Sequence, residues 1–187
     1  MLNNKWLAIS LIGLLALIGC QSTGGKLAGS AADIRQDSSA ALEKLYASNP
    51  EARKLAKHAK GILVFPDIVK AGFLFGAQYG TGGTLYKHGR VAGYYNIIAG
   101  SYGLQAGVQE FNYALFFMDD ASLSYLDNSE GWEVGVGPSI VVVDEGMAKS
   151  LTTTTHHQGV YAFIFGQKGL MAGMGLQGSK ISRIEPD

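Results

Sequence analysis

Four stretches of this chain place glycine at positions i and i+4, with an apolar residue directly after the first. The pairs are Gly72 and Gly76, Gly103 and Gly107, Gly131 and Gly135, and Gly169 and Gly173. Side chains alternate across a strand, so both glycines of a pair fall on one face. That face also carries Leu74, Gln78, Gly80, Gln105, Gln109, Glu133, Gly137, Met171 and Gly175. The opposite face carries Phe73, Phe75, Ala77, Tyr79, Leu104, Ala106, Val108, Trp132, Val134, Val136, Leu170, Ala172 and Met174. One face is bulky and apolar; the other is small and partly polar. Glycine inside a strand weakens it, so its repetition on one face calls for close backbone approach or tight curvature. The expectation is a strongly curved, mainly antiparallel Gly-rich β-sheet or a partly closed barrel.

Helices precede this region. In Ala31–Ser48 the apolar residues Ile34, Ala41, Leu42, Leu45 and Tyr46 recur mostly at three- and four-residue spacings, the pattern of a helix with one buried face. Asn49 suits a cap and Pro50 a first turn. Residues 51–60 then read as a short amphipathic helix with Ala52, Leu55, Ala56 and Ala59 inward, stopped at Gly61. Ile62, Leu63, Val64 and Phe65 form a buried-strand run ended by Pro66. Further strands are expected at 94–98, 113–118, 139–143 and 161–165. The last leads through a turn at 166–169 into the final glycine-patterned strand. Asp119 and Asp120 suit the cap of a short helix through Leu126. Helices followed by mainly antiparallel strands make an α+β fold, with the N-terminal helices packed on the sheet.

The first residues carry a second message. Lys5 is followed by an almost wholly apolar run over residues 6–18, closed by Leu17, Ile18, Gly19 and Cys20, the one cysteine of the chain. This is the order of a signal peptide. The run is short for a membrane span, which takes about 20 residues. Leu-Ile-Gly-Cys resembles the bacterial lipobox, which implies removal of residues 1–19 and diacylation of Cys20 as the mature N-terminus. Gln21 in place of Asp implies the outer membrane, with the protein facing the periplasm. An ordinary secreted protein and an N-terminal anchor are the other readings. Residues 20–30 are small, polar and Gly-rich, a flexible tether. Residues 31–187 have the length of one domain. With Cys20 acylated no disulfide can form, so packing must hold the domain together.

The formal net charge is zero, which argues against a bulk electrostatic nucleic-acid binder. The balance is uneven: residues 26–90 sum to +5 and residues 91–187 to −6. Arg53, Lys57 and Lys60 follow one another at helical spacing as a basic stripe, widened by Lys54 and His58. With Lys70 they can meet phosphate head groups, each worth about 1 kcal/mol near an anionic surface. A solvated helix face is the competing explanation, as is a mingling of both charge signs on the folded surface. For chemistry, His156 and His157 are adjacent, and neighbours on a strand point to opposite faces and rarely share one ion. Asp119, Asp120, Asp144 and Glu145 lack the spacing of a calcium loop. No Ser stands in a Gly-x-Ser-x-Gly elbow. Neither a catalytic set, a metal site nor a cofactor is expected.

Several blocks, in order, resemble the SYLF domain: residues 59–66, 69–73, 103–109, 115–118, 168–173 and 176–179. The resemblance implies binding to acidic phospholipids and phosphoinositides, without catalysis. Fungal and animal members are also associated with actin, a partner that does not suit a bacterial envelope lipoprotein. The expected function is therefore an envelope lipoprotein whose domain binds phospholipid. A structural envelope protein that binds another protein is the alternative, and a small hydrolase using Asp and His side chains is a third reading.

Overall fold

Three strands far longer than the usual five or six residues dominate the molecule. The computed structural model describes residues 29–128, 132–133, 140–143 and 159–187. Cys20, the apolar run before it, His156, His157, Asp144 and Glu145 lie outside these residues. The described chain runs α1 (Ala31–Ser48), α2 (Pro50–Ala56), β1 (Gly61–Lys87), β2 (Arg90–Phe117), α3 (Asp120–Asn128), β3 (Trp132–Glu133), β4 (Ile140–Val143) and β5 (Val160–Ile184). The sheet order is β1-β2-β5-β3, antiparallel, with β4 joined parallel to β5. The expected α+β fold with a curled sheet is what forms.

The curl is a fold of β1 upon itself. A Cβ added at Gly61 would stand 3.4 Å from Leu85 Cδ1, and one at Gly80 3.1 Å from Ile68 Cγ1. At Gly83 it would run into the Phe65 ring. These facing pairs close in on Leu74, so the strand doubles back there. At the crease itself, a Cβ on Gly72 would collide with Gly76 Cα and lie 2.5 Å from the Phe75 carbonyl oxygen. Leu74 takes the left-handed φ of 63°, and the β1–β2 register slips between Phe73 and Phe75. The neighbouring strands bring their glycines to the same line: Gly72 pairs with Gly107, and Gly103 with Gly175. The glycines of β1, β2 and β5 thus gather at the tight curvature that their spacing predicted, while the pair Gly131 and Gly135 lies outside the described residues.

The fold encloses one core and leaves another outside it. Between the two arms lie Leu63, Phe65 and Ile68 from one side and Leu85, Tyr95, Ile97 and Ile181 from the other. Leu123 and Leu126 of α3 join them at the open end, opposite the crease. On the outer face of the first arm, Val64, Ala114, Phe116, Tyr161 and Phe163 pack under Ala41 and Leu45 of α1 and Ala52 and Leu55 of α2. Phe116 and Phe163 meet edge to face, with centroids 5.1 Å apart. Helix α1 also reaches both arms of β1. The Ser38 hydroxyl donates to the Val64 carbonyl (3.3 Å), and Thr84 Oγ1 donates to the Ile34 carbonyl (3.4 Å).

Local chemistry explains the elements. Ser30 caps α1 through a reciprocal box with Asp33. Asn49 caps α2 by accepting from the Glu51 and Ala52 N–H groups, and Pro50 opens the helix. Three expectations need correction. Helix α2 ends at Ala56 rather than at Lys60. The turn tightens there, with His58 N–H donating to Leu55 O, and Lys60 N–H already pairs with Phe117 O at 2.7 Å. Pro66 does not end its strand, because Pro66 and Asp67 sit in a bulge that β1 runs through. The Asp67 N–H finds Asn112 Oδ1, and Asn112 Nδ2 donates to Phe165 O. Residues 166 and 167 are likewise a bulge in a continuous β5, with positive φ at Gly166, and Lys168 and Gly169 are back in register with Glu110 and Gln109. Lys87 and Arg90 close a two-residue hairpin whose His88 and Gly89 both have positive φ, the primed-turn geometry.

Candidate functional site

The basic residues singled out by sequence divide into a cluster and an outlier. Arg53 and Lys54 lie on α2, Lys57 caps its C-terminus, and Lys60 follows in the link to β1. All four are exposed. Three of them are engaged locally. Arg53 sits over the Tyr46 ring at 5.1 Å and 3.6 Å from Glu43. Lys54 pairs with Glu51 at 2.7 Å, and Lys60 approaches Asp120 at 3.7 Å. Exposed pairs of this kind contribute roughly 0–1 kcal/mol and exchange readily for another anion. Lys70 stands apart on β1, near the crease, in register with Gln109. The two charge halves of the chain do mingle: Lys60 with Asp120 and Lys87 with Asp127 each join the basic half to an acid of the second half.

The surface that sequence reasoning did not assign is apolar. The helices cover the outer face of the sheet only near the open end. Beyond them the same face continues uncovered through Val69, Ala71, Phe73, Phe75, Ala77 and Tyr79. Phe73 is 75% exposed and Phe75 70%. The register carries the face on to Val108, opposite Ala71, and to Leu170, opposite Val108. Val108 is 60% and Leu170 87% exposed. Aromatic side chains present about 150–250 Å² each, and apolar patches beyond a few hundred Å² mark interaction surfaces. The signal was present in the alternation, which put Phe73, Phe75, Tyr79, Val108 and Leu170 on one side. It did not say that this side is the outer one. The inner side is filled instead by small residues at the crease and by buried Gln78 and Ser101.

The carboxylates considered for chemistry have structural work. Asp119 caps α3, its Oδ1 accepting from the Ser122 N–H at 2.7 Å and its Oδ2 from the Gly159 N–H at 2.6 Å. Partial burial pushes the carboxyl up, but these backbone donors outweigh it and hold Asp119 below the usual carboxylate range. Its ionised form is therefore favoured by folding. The stabilisation is fully present above the unfolded value of about 3.9 and is lost as pH falls through the lower folded value. Asp119→Ala is expected to cost about 1–2 kcal/mol at neutral pH. Urea unfolding should show that deficit shrinking below about pH 4; a deficit independent of pH would contradict the assignment. Asp120 is exposed. Among the described residues no three His, Cys, Asp or Glu gather as a metal site.

A protein-family model described as Ysc84, Las17-binding protein actin regulator, matches residues 98–185. The match begins within β2 and closes at the end of β5, so it takes in the second and third strands across the crease. It bears out the resemblance carried by residues 103–109, 115–118, 168–173 and 176–179. No curated protein matches the chain.

Proposed function

With residues 98–185 matching the Ysc84 (SYLF) family model, we propose that this chain is a lipid-anchored envelope protein whose folded domain binds phospholipid and performs no chemistry. The observation that carries the reading is the long apolar outer face of the sheet. It is supported by the exposed cations of α2, whose local partners a phosphate can replace. The family description names Las17 binding and actin regulation. Neither suits a periplasmic protein, and both are left with the proteins so described.

Vesicle flotation of the unacylated domain, residues 21–187, tests the proposal. The domain is expected to float with anionic phospholipid vesicles. Replacing Arg53, Lys57 and Lys60 with Glu is expected to lower the bound fraction several-fold, most at low salt, where exposed charges are least screened. Recovery with neither anionic nor neutral vesicles would overturn it. A protein captured by crosslinking at the apolar face, with no lipid retained, would favour the structural alternative.

A further inference from the structure

We propose that, where no lipid covers it, the bare outer face of the first arm is covered by a second copy of this chain, so that self-association and phospholipid binding exclude each other. The inference rests on the phospholipid reading above and adds what regulates that face. Val69, Phe73, Phe75, Val108 and Leu170 are all exposed there. At about 150–250 Å² for a whole aromatic side chain, their exposed parts come to roughly 600 Å². Two such faces together withdraw about 1,200 Å² from water, the lower end of the range for stable interfaces. A patch of that size is rarely left bare on a monomer.

Shape selects the arrangement. Helix α1 lies across the outer face over Val64, and its Asp33 and Asp37 border Pro66 and Asp67 in a small cleft. The bare face is therefore a terrace between α1 and the bend. Two sheets stack about 10 Å apart, a gap that one helix of about 10–12 Å already fills. A two-fold axis along the strands would bring both α1 helices into one gap. An axis across the strands avoids this: each copy's bend comes up against the other's α1, and the contact is self-complementary. That axis follows the row of Ala71, Val108 and Leu170, which are paired in register. Phe73 of one copy then comes over Val69 of the other, beside the small Ala71.

Charge agrees with this axis. The terrace itself carries Glu110 and Lys168, held together at 3.2 Å. Lys70 and Gln109 alternate to the other face. The border with α1 carries the acids Asp33, Asp37 and Asp67. The bend carries no charge: residues 71–80, 91–109 and 169–179 of the three strands contain no Asp, Glu, Lys or Arg. With the axis across the strands, the border acids of one copy meet the uncharged bend of the other. With the axis along β2, Glu110 would face its own counterpart.

The test uses residues 21–187, which keep every residue of both cores and lack the one native thiol. Without lipid, sedimentation equilibrium at micromolar concentration is expected to give twice the chain mass. Leu170→Glu should give the single-chain mass with unchanged far-UV circular dichroism. Ile98→Glu, at an equally exposed apolar position on the second arm, should leave the pair intact. A short bismaleimide should join Val108→Cys to its own counterpart and should not join Ile98→Cys. The linked pair is expected to float with phosphatidylglycerol vesicles several-fold less than the same variant left unlinked. A single-chain mass for the unsubstituted domain overturns the inference, as does a pair that survives Leu170→Glu or a linked pair that floats as well as the unlinked variant. An unlinked domain that forms the pair and never floats sinks the phospholipid reading, and with it the exclusion, while the mass and the crosslink, both read without lipid, still establish the second copy.

Discussion

Replacing Gly72 with alanine is expected to destabilise the domain by about 3 kcal/mol or more, enough to leave little folded protein. The new methyl group would collide with backbone, at Gly76 Cα and the Phe75 carbonyl, and not with a side chain that could turn aside. Relief would require opening the crease, which also separates Ile68 from Gly80 and Phe65 from Gly83. Gly100→Ala provides the control, since a Cβ there meets nothing within 4 Å. It should change stability by a few tenths of a kcal/mol and, in a strand, with either sign. Urea midpoints of the two variants decide the matter. Equal midpoints would mean that the bend tolerates a side chain and that curvature is not why glycine stands at position 72.

Phe65→Ala is expected to cost about 3–5 kcal/mol, the range for a fully buried phenylalanine whose site cannot collapse. Phe65 is inaccessible to solvent and lies between the arms, against Gly83. Its removal opens a cavity where the arms face each other across the fold. Gly83→Ala should also destabilise, because the methyl would occupy the space of the Phe65 ring and approach the Val64 carbonyl at 2.8 Å. The double variant should be less unstable than the two losses added together, since the smaller residue at 65 makes room for the larger one at 83. Strict additivity would argue that the two positions do not meet.

The helices, their caps and the α+β order were legible because they rest on local signals. Asn49, Pro50 and Asp119 act at the positions their chemistry suggests. The great length of the strands was not legible. Pro66 and Gly166 are turn residues by local preference, yet here each sits in a bulge. What keeps the strands continuous is the ladder to a neighbour distant in sequence, such as Phe65 to Tyr113. For the same reason the helical stripe was read as one turn too long: Lys60 is claimed by Phe117, 57 residues on. Alternation correctly separated a bulky face from a small one. Which of the two faces solvent depends on how far α1 and α2 extend over the sheet, and that is a property of packing. The basic positions were visible as charges, whereas their neighbours Glu43, Tyr46 and Asp120 emerged only with the fold.

The two-residue turn at His88 and Gly89 has a consequence for the order of assembly. It joins β1 to β2, so a hairpin of more than fifty residues can zip from contacts that begin close in sequence. The meeting of Gly61 with Leu85, and of Phe65 with Gly83, links positions that come together only when a formed ribbon bends in its middle. β5 pairs along both halves of that ribbon from beyond α3. Ribbon first, bend second and third strand last is the sequence of events with the smallest loop to close at each step. On this route Phe73 and Phe75 are already at the outside of the bend before the final strand arrives.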